Sequence, residues 1–253
     1  MKLSVALICF NEEANIRRTL EALTDLADEI IVVDSFSTDN TAAIAREMGA
    51  TVFLEPWAGY VEQKNSAFSK CMGDWILAVD ADEVLTKELT AAIKSALAQD
   101  RGLNGYSINR RTFYMNKLLK YAWQPDRKLR LVRRAANPVW RGYDPHDALW
   151  VEGKTVRLGG CMIHYSYKNF AVHMQKTVSH AYKAAESYHR AGKRTSFLSL
   201  LIRPGFALFR RLFVNLAILD GFPGIMAAWS SSVYVYMKYA FLWELGRGQT
   251  HDE

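Results

Sequence analysis

Four short apolar runs, separated by helical patterns and all within the first hundred residues, restrict this chain more than anything else in its sequence. The runs Leu3–Cys9, Ile30–Val33, Thr51–Leu54 and Trp75–Val79 read as short buried strands. Between them lie helical patterns at Ala14–Leu26, Thr41–Met48 and Tyr60–Cys71, the first carrying Ile16, Leu20, Leu23 and Leu26 at helical spacing. Ser37 and the following Thr38-Asp39-Asn40 supply side-chain oxygens where the second helix begins, so its orphan amides can be capped. Strands and helices alternating over short connections give an α/β fold of mostly parallel strands with helices on the sheet faces. Ligands of such sheets bind beyond the carboxyl ends of the strands.

Those ends are acidic. The first run leads into Phe10-Asn11-Glu12-Glu13, the second into Asp34-Ser35 and the fourth into Asp80-Ala81-Asp82-Glu83. No G-x-G-x-x-G follows the first run, which disfavours the usual dinucleotide fold. Gly153-Lys154-Thr155 lacks the upstream glycine of a phosphate loop, because that position is Ala148. Three carboxylates in four residues repel one another unless something positive sits among them. Mg²⁺ or Mn²⁺ bound to a diphosphate would neutralise them. The plainer alternative is a solvated acidic turn that caps a helix starting near Thr86. Asp34 can accept hydrogen bonds from a base or a ribose hydroxyl, or bond the backbone of its own turn. Phe10 can stack on a base or belong to the core.

Charge divides along the chain. Residues 1–100 hold 8 Lys/Arg against 17 Asp/Glu, a balance of −9, whereas residues 101–253 hold 24 against 9, a balance of +15. A basic, aromatic-rich second half suits an anionic partner: nucleic acid, a phosphorylated small molecule or an anionic membrane. Arg110, Arg111, Arg127, Lys128, Arg130, Arg133, Arg134 and Arg141 crowd one stretch with Trp123 and Trp140. Guanidinium groups grip phosphates bidentately and indole offers a flat face to sugars, although alternation along strands would leave several of these residues simply in solvent. Single-stranded nucleic acid takes such mixtures too. It leaves the acidic strand ends unexplained, so no nucleic-acid partner is expected.

Further along, Gly105–Arg110, Lys128–Arg133 and Lys154–Leu158 look like strands, and a helix runs from about Phe170 to Arg190. The strongly apolar stretch from Phe197 to Leu245 is broken by Pro204 and by Gly221-Phe222-Pro223-Gly224. Arg203, Arg210 and Arg211 share a helical face among Leu200, Leu201, Phe206, Phe209, Phe213 and Leu216. Such a helix can lie in the interface of an anionic leaflet, or pack on the rest of the protein or on a second subunit. The uncharged Gly221–Met237, interrupted by Pro223 and three serines, falls short of a spanning helix, which wants about 20 mostly apolar residues. No small-residue cleavage site follows the N-terminal apolar run. Cys9, Cys71 and Cys161 have no short spacing, which excludes a disulfide framework and a cysteine zinc site and fits a reducing compartment.

Taken in order, "ICFNEEANI", "VVDSFSTDNT", "QKNSAFSKCMGDWILAVDADE", "HDAL" and "IHYSY" span most of residues 1–170. In these the chain resembles the family 2 inverting glycosyltransferases of GT-A fold, which use nucleotide-diphosphate sugars. "QPDRKLRLVRR" and "LDGFPG" make it most similar to bacterial lipopolysaccharide core β-1,4-glucosyltransferases. The resemblance implies a Rossmann-like catalytic domain over residues 1–195, with a nucleotide-binding half at 1–100 and an acceptor-binding half at 101–195, then an amphipathic, apolar helical tail over 196–253. It implies that Phe10, Asn11, Glu12, Asp34 and Ser35 line the nucleoside pocket. Asp80 and Ala81 would lie near the ribose and diphosphate, and Asp82 would bind Mg²⁺ or Mn²⁺. Lys64 would approach the diphosphate or remain a solvated helix lysine. His164 would be a further metal or diphosphate ligand, or a satisfied core residue. Asp147 would be the general base, with Asp144 as its competitor.

The implied reaction moves glucose from UDP-glucose to an anionic glycolipid acceptor, the lipopolysaccharide inner core. It would take place in the cytoplasm, at the periphery of the inner membrane. A polyprenyl-phosphate or other glycolipid acceptor, and an inert nucleotide-sugar-binding module, are the rival readings. The oligomeric state is not set by the sequence.

Overall fold

The computed structural model describes residues 1–99, 101–142 and 147–247. Its elements begin with β1 (Leu3–Cys9), α1 (Glu13–Glu21), β2 (Glu29–Asp34), α2 (Thr41–Glu47), β3 (Thr51–Leu54), α3 (Tyr60–Ser69), β4 (Trp75–Ala78), β5 (Glu83–Leu85) and α4 (Lys87–Ala98). They continue with β6 (Gly105–Tyr114), β7 (Lys117–Leu118), β8 (Arg127–Arg133), β9 (Val139–Arg141), β10 (Ala148–Trp150) and β11 (Thr155–His164). The helices α5 (Phe170–Arg190), α6 (Phe197–Phe209) and α7 (Phe222–Gly246) follow. The chain forms two compact units, one of Met1–Arg111 with Pro125–Tyr165, the other joining Thr112–Gln124 to the chain after Tyr165.

In the first unit the sheet order is β3-β2-β1-β4-β8-β6-β11-β5. Strands β3, β2, β1 and β4 are parallel. Their register sets Cys9, Asp34 and Leu54 abreast, so three strands end together. β1 is apolar and buried at nearly every position, as a central parallel strand covered on both faces must be. Beyond β4 the sheet turns antiparallel: β8 pairs Leu131 with Leu77, and β6 runs back along β8. β5 lies antiparallel to β11, with Glu83 opposite His164.

Two expectations change. The pattern read as a helix over Ala14–Leu26 is helical only to Glu21; Leu23 and Leu26 stay buried through successive tight turns. Apolar spacing reports burial, and turns preserve it as well as helix does. β11 extends to His164 rather than stopping at Leu158, because Gly159-Gly160 marks a close approach, not a break. Gly160 has φ +78°, and a Cβ there would lie 2.5 Å from the Leu89 backbone nitrogen of α4. The second helix is capped as its sequence suggests, but by Asp39, whose carboxylate accepts from the Thr41 N–H at 3.0 Å, and not by Asn40. Thr86, accepting from Leu89, caps α4, so the acidic turn before it does not serve as the cap.

In the second unit, α5 starts at the Asn169 cap and α6 at the Ser196 cap. Pro204 lies inside α6, a wider π-type turn follows over Arg210–Val214, and α7 begins with Pro223 in its first turn. Asp220, buried, accepts from the backbone N–H groups of Lys120, Tyr121 and Ala122 at 2.8–2.9 Å. Lys117 donates to the Asp220 carbonyl at 2.7 Å. No described helix is long and apolar enough to cross a membrane.

Gly160→Ala should destabilise the protein by about 2–3 kcal/mol, because the new Cβ meets backbone at a left-handed residue. Urea unfolding checks this: the midpoint should fall with an unchanged slope. An unaltered midpoint would show that α4 can step back from β11.

Candidate active site

The antiparallel return of β8 brings Arg130 to the acidic end of β4. Arg130 is only 4 % exposed, and its guanidinium donates to Asp80 Oδ2 at 2.7 Å and to Glu83 Oε1 at 2.9 Å. Arg110 adds a bond to Glu83 at 3.3 Å, lies 3.9 Å from Asp80, and is itself held by Asp126 at 2.7 Å. Burial works to raise the Asp80 carboxyl, but Arg130, Lys64 and Arg110 overcome it and hold the group well below the usual carboxylate range. Glu83 has no exposed surface, and burial, with Asp80 beside it, lifts its pKa despite both arginines. Guanidinium groups therefore neutralise two of the three carboxylates in the cluster, where a cation–diphosphate pair was expected.

Lys64 on α3 links this cluster to the residue expected to be the base. Its Nζ lies 2.7 Å from Asp147 Oδ2 and 3.7 Å from Asp80 Oδ1. The Trp140 ring centre is 4.3 Å from the same nitrogen. Asn65, the next residue, fastens α3 to β9 by donating to the Trp140 carbonyl at 3.0 Å and accepting from its N–H at 2.8 Å. Lys64 is thus a half-buried bridge, and the solvated-lysine alternative does not hold. Asp144 lies outside the described residues.

Asp82 faces the other way. Its Oδ2 lies 3.1 Å from His164 Nε2, and both side chains keep some exposure. The β5–β11 register accounts for the pairing, since His164 stands opposite Glu83 and Tyr165 N donates to the Asp82 carbonyl at 2.9 Å. A carboxylate oxygen and an imidazole nitrogen at an open edge fit a divalent cation that draws its remaining donors from a diphosphate and water. Among the described residues no three His, Cys, Asp or Glu side chains form a complete cage. Ala81, between the two acids, packs its methyl in the core and gives its carbonyl to Thr19 at 2.8 Å. It spaces Asp80 from Asp82.

At the ends of β1 and β2, Asn11 adopts φ +54°, a conformation short polar side chains tolerate. It accepts from Thr38 N at 2.8 Å and donates its own N–H to Ser37 Oγ at 2.9 Å. Glu12 N donates to Thr41 Oγ1, and the Glu12 carboxylate accepts from Asn15. Asp34 is fully buried: its oxygens accept from Ser37 N at 2.8 Å, Ser37 Oγ and the Cys9 thiol. Burial, with Asp34 alongside, pushes the Cys9 thiol up, so it stays neutral. Asp34 therefore organises its own turn. Ser35 Oγ accepts from Gln63 at 3.3 Å. Phe10 is 54 % exposed at the strand end, which removes the core alternative.

Sequence reasoning singled out neither the exposed Phe36, at φ +60° beside Asp34, nor the exposed, edge-to-face Trp57–Tyr60 pair. Tyr60 lies near Lys64. Arg110 and Arg130, read as part of an acceptor-facing basic surface, serve inside as counterions. Their signal was their position in β8, which pairs with β4, and in β6, which pairs with β8.

A model of the family described as Glycosyl transferase family 2 matches residues 4–150. Over 258 residues the chain is 33% identical to an uncharacterized glycosyltransferase of Rickettsia felis, covering 96% of this chain and 89% of that protein. It is 30% identical over 255 residues to the lipopolysaccharide core biosynthesis glycosyltransferase LpsC of Rhizobium meliloti, covering 96% and 93% of the two. Among solved structures, the mannosyltransferase PcManGT of Pyrobaculum calidifontis in complex with GDP-Man and Mn²⁺ shares the fold at a TM-score of 0.55. It is 15% identical, and the match covers 96% of this chain and 87% of that one.

The Arg130 cluster has a pH signature. Asp80, held low, adds stability that is full above about pH 4 and lost as pH falls through its depressed value; Glu83, held high, opposes as pH rises through its raised one. Arg130→Met removes the shared cation, so burial should lift both carboxyls and cost about 3–5 kcal/mol at pH 7. That deficit should shrink as pH falls toward about 5, where the orphaned acids take up protons. Urea midpoints at the two pH values check this, and an equal deficit at both would refute it.

Proposed function

The chain belongs to glycosyl transferase family 2, and from that membership we propose a metal-dependent, inverting transfer of glucose from UDP-glucose to a phosphorylated inner-core acceptor of lipopolysaccharide. The observation that carries this reading is Lys64, whose single ammonium reaches both Asp80 and Asp147. One cation thereby joins the acidic strand end to the proposed base. The relative named for lipopolysaccharide core biosynthesis supports the acceptor. The fold shared with a mannosyltransferase that binds GDP-Man and Mn²⁺ is in keeping with the donor class and the metal.

In this reading residues 1–195 perform the transfer. Phe10, Asn11, Glu12, Asp34 and Ser35 form the nucleoside end, with Phe10 stacking on the base and the buried Asp34 holding the loop in shape. A divalent cation on Asp82 and His164 would supply positive charge for the departing diphosphate. Lys64 turns from Asp147 toward the incoming diphosphate, which frees the carboxylate. Asp147 then takes the proton of the acceptor hydroxyl as that oxygen bonds to the anomeric carbon. The bond from that carbon to the diphosphate oxygen breaks on the opposite face, leaving an inverted product and UDP. General-base catalysis of this kind contributes about 10²–10⁴-fold.

In this reading the tail, residues 196–253, is what holds the enzyme to the cytoplasmic face of the inner membrane. Support comes from α6, where Phe197, Leu198, Leu201, Ile202 and Phe206 are all exposed.

Asp147→Asn should keep UDP-glucose binding and lower turnover by about 10²-fold or more, read by calorimetry beside a transfer assay. Loss of binding together with turnover would make Asp147 a donor-site residue. Asp82→Ala should remove the dependence of UDP binding on Mn²⁺; a variant with wild-type Mn²⁺ dependence refutes the metal assignment.

A further inference from the structure

A cavity of about 410 Å³ opens in the second unit among α5, α6, α7 and the turn after α6. His173, Thr177 and Ser230 form its buried floor. A second hollow of about 280 Å³ shares Phe206, Ala207 and Val235 with it and continues past Ile202 to Arg203 and Lys238. The two make one groove, apolar in the middle, with cations at each end.

The floor is polar but neutral, and its groups are already engaged. Tyr114 OH bonds His173 Nδ1 at 2.8 Å, the Thr177 hydroxyl donates to the His173 carbonyl, and Trp123 Nε1 donates to Ser231 Oγ at 3.1 Å. Burial pushes His173 down to about 4, so the imidazole carries no charge at neutral pH. Arg210 and Arg211 also line the cavity, and no carboxylate does. Among the described residues neither arginine is paired with a carboxylate. Burial, and Arg210 next to it, lower the Arg211 pKa, as expected for adjacent cations with no counterion. Both sit in the π-type turn over Arg210–Val214, a rare geometry that occurs frequently at functional sites. The unit carries 13 Lys/Arg against 5 Asp/Glu, so the excess is general, but here it points into a hollow.

A free inorganic anion would satisfy the arginines and leave the apolar groove empty, while a neutral lipid would do the reverse. A phosphomonoester brings three acceptor oxygens and a charge of about −1.5 to −2, which two guanidinium groups can match bidentately. We propose that this groove binds a membrane lipid bearing a phosphomonoester, its phosphate on Arg210 and Arg211 and its hydrocarbon chain along Ile202, Phe206 and Val235. The proposal rests on the membrane reading above only in placing the chain at a bilayer; the donor site plays no part in it.

Flotation of the full chain with three vesicles tests it: phosphatidylcholine alone, and the same lipid with phosphatidic acid or with charge-matched phosphatidylserine. The wild type should prefer phosphatidic acid over phosphatidylserine by about tenfold. Arg210→Ala/Arg211→Ala should abolish that preference. Ala207→Trp, which fills the groove and keeps every charge, should abolish it as well, so a poorly folded arginine variant cannot decide the matter alone. Arg190→Ala/Arg194→Ala, with the same loss of charge outside the groove, should weaken binding to both anionic vesicles and keep the preference. Equal binding to the two anionic lipids by the wild type, or a preference that survives either groove variant, overturns the lipid-phosphate site. So does a groove closed by self-association, seen as a sedimenting dimer that phosphatidic acid does not dissociate. Failure to float with any vesicle overturns the membrane reading too.

Discussion

The buried guanidinium of Arg130 is the contact on which the acidic edge depends. Asp80 and Glu83 lie three residues apart at the end of a buried strand, where two carboxylates without a cation would drive the turn outward. One planar group bonding both lets the turn fold inward and leaves Asp82, between them in sequence, directed at His164 instead. Asp82 thus stays at the open edge while its two acidic neighbours are taken up by the arginine. The strongly uneven charge of the chain has part of its explanation here. Arg110 and Arg130 come from the basic portion and neutralise acids of the acidic portion, and the antiparallel β6 and β8 are what carry them there.

The parallel half of the fold was readable because its signals are local. β1 and β3 run where the apolar runs do, and α5 spans its patterned stretch from Phe170 to Arg190. What could not be read was register between strands distant in sequence. Glu83 stands opposite His164 only because β11 continues through a glycine pair that, taken locally, looks like a stop. The same blindness misassigned Arg130, since a strand arginine beside aromatics looks the same whether it faces solvent or a buried carboxylate.

Lys64 shows how context converts an ordinary residue. Along α3 nothing separates it from any helical lysine. Asn65 then clamps that turn of helix to the backbone of Trp140, which sets the ammonium against the indole face and within reach of two carboxylates. Holding a long side chain in one geometry has an entropic cost. Here that cost is offset by three fixed neighbours rather than by one mobile partner.

Carboxylates do two kinds of work in this protein, and their oxygens distinguish them. Asp34 and Asp220 are fully or almost fully buried, with their lone pairs taken by backbone N–H groups, a hydroxyl or a thiol. Moving either toward a ligand would strand several buried donors, each worth about 1–3 kcal/mol. Among the described residues Asp82 and Asp147 are held by a side chain, His164 and Lys64 respectively, and remain partly open. A single side-chain partner can be exchanged for a substrate group at lower cost than a set of backbone amides. The conspicuous acid of "VVDSFST" and the one in "LDGFPG" therefore hold their loops by bonds that any ligand would have to break.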